Sequence, residues 1–340
     1  MKLFKKALRT LAASAIVLAA LAPHVKAQTA SAEGILVYNA QHENLTRDWA
    51  AGFTRETGIK VTIRKGSDMD MANQLVLEGA RSPADVFLTE NSPAMTLVES
   101  AGLFEPIPAD VQALIPEQYR PGDGRWIGVA ARSTVFVYNK NKLAADQLPK
   151  SILELAEPKW KGRWAASPAG ADFQAIVGAL VVLKGESVAA DWLKAMKVNA
   201  APYRGNATAM KAVNAGEVDG AVIYHYYYFN DQAKTGENSN NVASHYFRNR
   251  DPGAFVSVSG AGVLASSKKK VEAMAFVRWI AGKGGQKVLR EGDSYEYAVG
   301  NGEASHPKLE PLAKLEAPVL EPARLNNKKV TDLMTAAGLL

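Results

Sequence analysis

Short apolar runs alternate with amphipathic segments along the chain from residue 35 onward. Leu45, Trp49 and Phe53 recur every four positions and are followed by Gly58, which predicts a helix over residues 43–56. Strands are predicted at three apolar runs, residues 35–38, 61–63 and 85–88, and further helices at residues 69–77 and 94–101. Strands that alternate with helices indicate an α/β fold whose ligand groups lie beyond the carboxyl ends of the strands. His42 and Glu90 both occupy such positions.

The second half of the chain repeats this alternation and adds strands that connect the halves. The predicted strands are residues 135–138, 220–223 and 255–258, and the predicted helices are residues 171–183, 189–196, 208–213, 272–280 and 329–337. We expect the strands at 135–138 and 255–258 to cross between two lobes, because their apolar residues suit a buried hinge. The prediction is therefore two doubly wound α/β domains joined by crossing hinge strands. The N-terminal lobe is residues 34–132 plus 257–306, and the C-terminal lobe is residues 133–256 plus 307–340.

The first 27 residues carry the pattern of an export signal. Four basic residues precede an apolar run at residues 11–21, and small residues follow near residue 27. The apolar run is about half as long as the roughly 20 residues that a membrane-spanning helix needs. We predict a signal peptide over residues 1–27 and a soluble protein in the periplasm.

This segment also changes the meaning of the overall charge. The chain has a formal net charge of +6 and no cysteine. Five Lys and Arg residues within the first 27 positions account for five of these charges, which leaves about +1 for the mature chain. We therefore expect no nucleic-acid partner. The lack of cysteine excludes disulfides and thiolate metal sites.

An aromatic cluster directly follows the predicted strand at residues 220–223. Its members are Tyr224, Tyr226, Tyr227, Tyr228 and Phe229, with His225 between the first two. A tyrosine cluster on its own is more often core packing. Adjacent tyrosines at a strand end can, however, direct two phenol oxygens to one point, and Fe(III) is a hard cation that prefers oxygen donors. The cluster therefore indicates a ferric site.

Signatures of enzymes are lacking in this sequence. His42-Glu43 begins like a zinc-protease helix motif, but Thr46 stands where the second histidine would be needed. The nucleophile elbow, the Walker loop and the dinucleotide-binding glycine pattern are also missing. We expect a binding protein rather than an enzyme.

Several short motifs are spread over nearly all of the mature chain. They are VYNAQH at residues 37–42, ETGIKV at 56–61, PADVF at 83–87, Thr89-Glu90, PKWKG at 158–162, GEV at 216–218, Tyr226-Tyr227 and DPGA at 251–254. In these motifs the chain resembles the periplasmic ferric-ion-binding proteins of bacterial ABC importers. The resemblance implies a two-lobed periplasmic binding protein fold of the class II type. Several of the motifs also occur in relatives that carry other solutes, so they specify the fold more than the ligand.

The resemblance also implies a ligand set for Fe(III), namely His42, Glu90, Tyr226 and Tyr227. Two phenolates and one carboxylate balance the three positive charges of the metal, provided that the imidazole is neutral. Four protein donors leave about two octahedral positions for an anion or water. A free phenol titrates near pH ~10, so binding must displace protons and affinity should fall with pH.

Some members of this family hold phosphate at a Ser-Gly helix start, assisted by two asparagines. The corresponding candidate anion-binding residues here are Ser167, Gly170, Ala171 and Asn206, and Arg132 is a candidate to balance carbonate. Tyr224 replaces one asparagine, and Asp172 would repel an anion if its carboxylate faced the site. The identity of a synergistic anion is left open between carbonate, phosphate and citrate.

These observations predict the periplasmic solute-binding component of an ABC importer. The protein is expected to capture Fe(III) in a cleft between the lobes, as a monomer, and to deliver it to an inner-membrane permease. The alternative is the same fold with a different solute, such as thiamine, a polyamine or a small anion.

Overall fold

The structure is a computed structural model that describes residues 34–340. The predicted signal peptide, residues 1–27, lies outside the described residues. Among the described residues, no helix is both long and apolar enough to cross a bilayer.

Nine strands of the described chain form one extended sheet. They are β1 (Ile35–Asn39), β2 (Val61–Lys65), β3 (Val86–Leu88), β4 (Ile127–Asn139), β5 (Trp164–Ala166), β6 (Ala200–Pro202), β7 (Gly220–Tyr224), β8 (Val242–His245) and β9 (Val256–Val263). The strand order is β2-β1-β3-β9-β4-β7-β5-β6, and β8 pairs with β4. Strands β1, β2 and β3 are parallel to one another, as are β5, β6 and β7, whereas β4 and β9 run antiparallel to their neighbours.

Helices pack on the faces of this sheet. They are α1 (Glu43–Thr57), α2 (Asp68–Glu78), α3 (Ser92–Ser100), α4 (Ala109–Gln112), α5 (Ala171–Lys184), α6 (Glu186–Asn199), α7 (Asn206–Ala215), α8 (Tyr226–Lys234), α9 (Lys270–Ala281), α10 (Lys283–Glu291) and α11 (Asn327–Ala336). Helix α1 shows how apolar residues at four-residue spacing form one buried helix face. Leu45, Trp49 and Phe53 are buried, and Gly58 ends the helix in the left-handed conformation, with its N–H bonded to the Thr54 carbonyl.

Strand β4 connects the two lobes. It pairs with β9 from Ile127 to Ser133 and then with β7 from Thr134 to Tyr138, so its partner changes between two consecutive residues. Strand β9 enters this arrangement at Val256, opposite Ser133. These changes lie beside the lobe boundaries predicted at residues 132 and 256, which stay a prediction.

The C-terminal tail contacts both halves of the molecule. Helix α11 packs against α5 and α6, within the region assigned to the C-terminal lobe. A short turn at Pro322–Arg324 packs instead against α3, which belongs to the other predicted lobe. The tail therefore packs against elements of both predicted lobes.

The parallel strands position the functional side chains. His42 follows β1 and Glu90 follows β3, whereas Asp172 follows β5 and the tyrosines follow β7. All four places lie just beyond carboxyl ends of parallel strands, as expected for an α/β sheet. Both halves of the sheet therefore direct polar groups into one cleft.

Gly220 allows β7 to lie close to β4 at the start of the strand that leads to the tyrosines. A Cβ atom at this position would come within 2.1 Å of the Phe136 ring. We predict that Gly220→Ala lowers the free energy of unfolding by about 1–3 kcal/mol, because overpacking displaces a buried ring. Urea unfolding would measure this loss. Gly122→Ala is the matched control, since an added Cβ there meets its nearest neighbour at 3.6 Å; equal losses in the two variants would contradict the prediction.

Candidate metal centre

Two phenol oxygens converge on a single carboxylate oxygen. The hydroxyls of Tyr226 and Tyr227 each lie 3.3 Å from Asp172 Oδ2. The two phenol rings stack, with centroids 4.2 Å apart and an interplanar angle of 29°. The two adjacent tyrosines thus direct their phenol oxygens to one point, which is the geometry considered from the sequence.

The tyrosines reach this point from the first turn of a helix. His225, directly after β7, already has helical dihedral angles, and α8 begins at Tyr226. A helical turn places the two rings side by side, whereas an extended segment would send consecutive side chains to opposite faces. His225 is fully buried, and its Nδ1 accepts a hydrogen bond from the Ser133 N–H at 3.1 Å.

Asp172 is held in place by two amide side chains. It lies in the first turn of α5 and is buried. Asn206 Nδ2 donates to its Oδ2 at 2.9 Å, and Asn91 Nδ2 donates to its Oδ1 at 3.1 Å. Both carboxylate oxygens are therefore held by amide donors. From the sequence, Asp172 was expected only to repel an anion if its carboxylate faced the site.

The opposite side of the cleft is built around His42. Its Nε2 lies 2.8 Å from Glu90 Oε1, and its Nδ1 lies 2.8 Å from Glu296 Oε1. The His42 ring also meets the Tyr226 ring edge-on, with centroids 4.6 Å apart. The structure thus places His42 against Glu90 and against Tyr226, which stacks on Tyr227; that these four residues bind a metal stays a prediction.

Glu296 was not foreseen from the sequence. It is fully buried, and its Oε2 lies 2.9 Å from Arg132 Nη2. Arg132 is equally buried and also donates to Ser259 Oγ at 2.8 Å and to the Glu90 carbonyl. The guanidinium predicted to balance carbonate is therefore engaged by protein groups.

The other predicted anion-binding residues surround the start of α5. Ser167 is buried, and the Gly170 N–H donates to the Ser167 carbonyl at 3.0 Å. Ala171 is the first residue of the helix, and the Asn206 amide is bonded to Asp172. The Asp172 carboxylate thus faces the cleft from the place where these residues were expected to hold an anion.

Burial shifts the pKa values of the ionisable side chains in the cleft. It raises the pKa values of Tyr226 and Tyr227, and the negative charge of Asp172 raises them further. The pKa of Asp172 is also raised, first by burial and then by Glu90. Burial alone would lower the pKa of His42, but the charges and hydrogen bonds of Glu90 and Glu296 raise it to about 10. Without a cation, the phenols therefore keep their protons and His42 is charged.

The donor types at this cleft suit a hard cation. Across residues 34–340, the histidine and carboxylate side chains alone include no group of three or more arranged to hold a metal. The phenol oxygens of Tyr226 and Tyr227 supply further hard donors beside Asp172. The aromatic cluster offers little free ring surface to an organic solute, because Tyr224 and Tyr226 are buried and Tyr227 stacks on Tyr226.

Comparison with known proteins shows which family the chain belongs to. The model for bacterial extracellular solute-binding proteins matches residues 81–323. The chain belongs to this family. Its fold is the two-lobed periplasmic binding protein fold, as predicted. The structure of iron-bound HitA from Pseudomonas aeruginosa is similar to it, with a TM-score of 0.85 and 42% identity over 90% of this chain and 99% of HitA.

Curated relatives agree with this assignment. The Fe(3+)-binding periplasmic protein of Serratia marcescens is 65% identical over 315 residues, which cover 92% of this chain and 93% of the relative. The major ferric iron-binding protein of Neisseria meningitidis serogroup B is 40% identical over 324 residues, or 94% of this chain and 98% of the relative. A Trichodesmium protein solved with iron and citrate has a TM-score of 0.81 and 27% identity, over 90% of this chain and 100% of that protein. The names of these relatives describe binding proteins, which is the class of protein that we expected from the sequence.

The buried ion pair between Arg132 and Glu296 should contribute strongly to the stability of the folded protein. We predict that Arg132→Met lowers the free energy of unfolding by about 3 kcal/mol, the lower end of the range for breaking a buried ion pair, because Glu296 would keep only His42 as a counter-charge. Arg248→Met is the control, since the Arg248–Glu310 pair is partly exposed and such pairs contribute only about 0–1 kcal/mol. Denaturant unfolding of the metal-free proteins compares the two, and similar losses would contradict the prediction.

Proposed function

We propose that this protein is the periplasmic solute-binding component of an ABC importer and that it captures Fe(III) in the cleft between its lobes. The observation that carries the proposal is the convergence of the Tyr226 and Tyr227 hydroxyls on Asp172 Oδ2, each at 3.3 Å. A trivalent cation at this point would replace the protons that the buried acidic groups hold. The ferric relatives support the same cargo.

The proposed ligands come from both sides of the cleft. Tyr226, Tyr227 and Asp172 provide three oxygen donors from one lobe, and Glu90 provides a fourth from the other. His42 Nε2, which faces Glu90 Oε1 at 2.8 Å, completes a set of five. Oxygen donors with one imidazole suit a hard cation such as Fe(III). The set leaves about one octahedral position for water or another small ligand.

Asp172 takes the role that was expected of an exogenous anion. Its carboxylate occupies the start of α5, where Ser167, Gly170 and Ala171 were expected to bind the anion, and it uses the Asn206 amide. Two phenolates and two carboxylates carry four negative charges, one more than Fe(III) neutralises. A further anion would increase this excess in a buried site, which is unfavourable. We therefore propose that carbonate, phosphate or citrate is not needed for tight binding.

Closure of the lobes would couple capture to delivery. His42 and Glu90 follow strands of one half of the sheet, and Tyr226 and Tyr227 follow a strand of the other. Iron can contact all of them only when the halves approach, so it favours the closed state by its differential affinity. The proposed partner is an inner-membrane permease that recognises this closed form in the periplasm.

The test of the cargo is optical. A ferric ion bound by phenolate absorbs visible light, so the protein loaded with ferric nitrilotriacetate should be coloured. Tyr226→Phe and Tyr227→Phe should each lose most of this absorbance, since each removes one phenolate. Tyr228→Phe is the matched control, because Tyr228 is half-buried and packs against Phe229. A wild-type protein that stays colourless, or two phenylalanine variants that keep the full colour, would contradict the proposal.

The role of Asp172 can be tested by chemical rescue. Wild-type iron affinity should be the same with and without added formate or phosphate, because the anionic donor is built in. Asp172→Ala should bind iron at least about tenfold more weakly and should recover with formate, which can enter the space left by the carboxylate. Chelator competition in buffer free of other anions measures both affinities. Asp332→Ala, which changes an exposed carboxylate on α11, is the control. Wild-type binding that requires an added anion would overturn this assignment.

A further inference from the structure

Glu296 connects the cleft to the interior of the protein. It lies in the segment after α10, next to Tyr297, whose N–H and carbonyl pair with Ala131 of β4 at 2.8 and 3.0 Å. The carboxylate is fully buried. Its Oε1 faces His42 Nδ1, and its Oε2 faces Arg132 Nη2, with a further hydrogen bond from Gln41 Nε2 at 3.2 Å.

These contacts determine which nitrogen of His42 can bind a metal. Glu296 Oε2 forms an ion pair with the Arg132 guanidinium at 2.9 Å and accepts a hydrogen bond from Gln41 Nε2 at 3.2 Å. An ionised carboxylate can only accept hydrogen bonds, so His42 Nδ1 must carry the proton that points at it. The Nε2 atom then faces Glu90 and the side of the cleft where the Tyr226 ring lies.

We propose that Glu296 is a positioning residue for iron capture, which holds the His42 ring through Nδ1 and leaves Nε2 directed at the metal. This inference rests on the proposed function. Carboxylates that orient a metal-binding histidine typically contribute 10- to 100-fold to metal affinity. Arg132 cancels the charge of Glu296, so that the orienting group adds no net negative charge to a cleft that already holds several acidic groups.

The arrangement also explains how the N-terminal lobe can orient the His42 imidazole before the lobes close. Gln41, His42, Arg132 and Glu296 all belong to the half of the chain predicted as the N-terminal lobe, and Ser259 completes their hydrogen bonds. No residue of the opposite lobe is needed for the contact between Glu296 and His42. The imidazole would therefore be oriented in the open state, before the tyrosines approach.

A double-mutant cycle tests the inference. Iron affinity would be measured by chelator competition for the wild type and for His42→Ala, Glu296→Gln and the double variant. We expect Glu296→Gln to weaken binding by about 10- to 100-fold in the wild-type background, and by less than about twofold when His42 is already alanine, because Glu296 acts through that ring. Equal losses in both backgrounds, or no loss in either, would overturn the inference.

Two further variants keep the cycle informative. Glu296→Asp keeps a charge for Arg132 but withdraws the carboxylate from His42, so it should weaken iron binding even if Glu296→Gln does not fold; an unchanged affinity in the aspartate variant would overturn the inference. Glu310→Gln removes a partly exposed carboxylate paired with Arg248 and should keep wild-type affinity. Failure of the wild type itself to bind iron would refute the proposed function instead, and is thus distinguishable.

A spectroscopic measurement separates orientation from stability. In protein loaded with diamagnetic Ga(III), long-range ¹H–¹⁵N spectra should show His42 protonated at Nδ1 in the wild type. The signal should shift or broaden in Glu296→Asp, while that of His245, whose Nε2 contacts the Pro149 carbonyl at 2.9 Å, should not change. A wild-type His42 protonated at Nε2 would contradict the inference.

Discussion

The cleft depends on acidic groups that are buried together. Asp172 touches both phenols of the tyrosine pair, and Glu90 faces the same cleft from the other lobe. Ionising all of them without compensation is costly in a low-dielectric interior. In the metal-free state the phenols keep their protons and His42 is charged. In the proposed loaded state a trivalent cation would balance three of the four ligand charges. A divalent ion would leave two uncompensated charges, so the same physics favours Fe(III) over the commoner divalent metals.

The two lobes contribute differently to this site. The N-terminal half holds His42 in a buried hydrogen-bond network that is complete without the other lobe. The C-terminal half holds the carboxylate and the phenols on the first turns of α5 and α8, where Asn206 fixes Asp172. Asn91 joins the halves directly, because it donates to Asp172 across the cleft at 3.1 Å. The proposed closure would therefore join an oriented imidazole to a cluster of oxygen donors.

Strong periodicity made much of the fold predictable. Helix α1 and the strands before and after it were expected within one or two residues, because four-residue spacing and a terminal glycine are local signals. Strands β5, β6 and β8 were missed, since β5 and β6 have three residues each, β6 ends at Pro202, and β8 has only four residues. Helix α10 was missed because Gly284 and Gly285 lie within it.

The site was predictable only where local motifs carry it. The tyrosine pair stands out in the sequence, and His42 and Glu90 follow strands whose ends can be recognised. Glu296 carries no such signal: it is 254 positions from His42, in a loop of ordinary polar composition, and tertiary pairing with β4 alone brings it to the ring. Asp172 was recognised in the sequence as a residue near the site. The direction of its carboxylate depends on where α5 begins, and the sequence pattern does not determine that residue.

In the proposed function, two neighbouring phenols lose their protons to one trivalent cation. Ultraviolet difference spectroscopy during titration with Ga(III), which has no visible charge-transfer band, counts tyrosinates directly. We expect one equivalent of Ga(III) at neutral pH to produce the absorbance of two tyrosinates, although the pKa values of both phenols are raised in the metal-free protein. Binding of Ga(III) without any tyrosinate absorbance would contradict it.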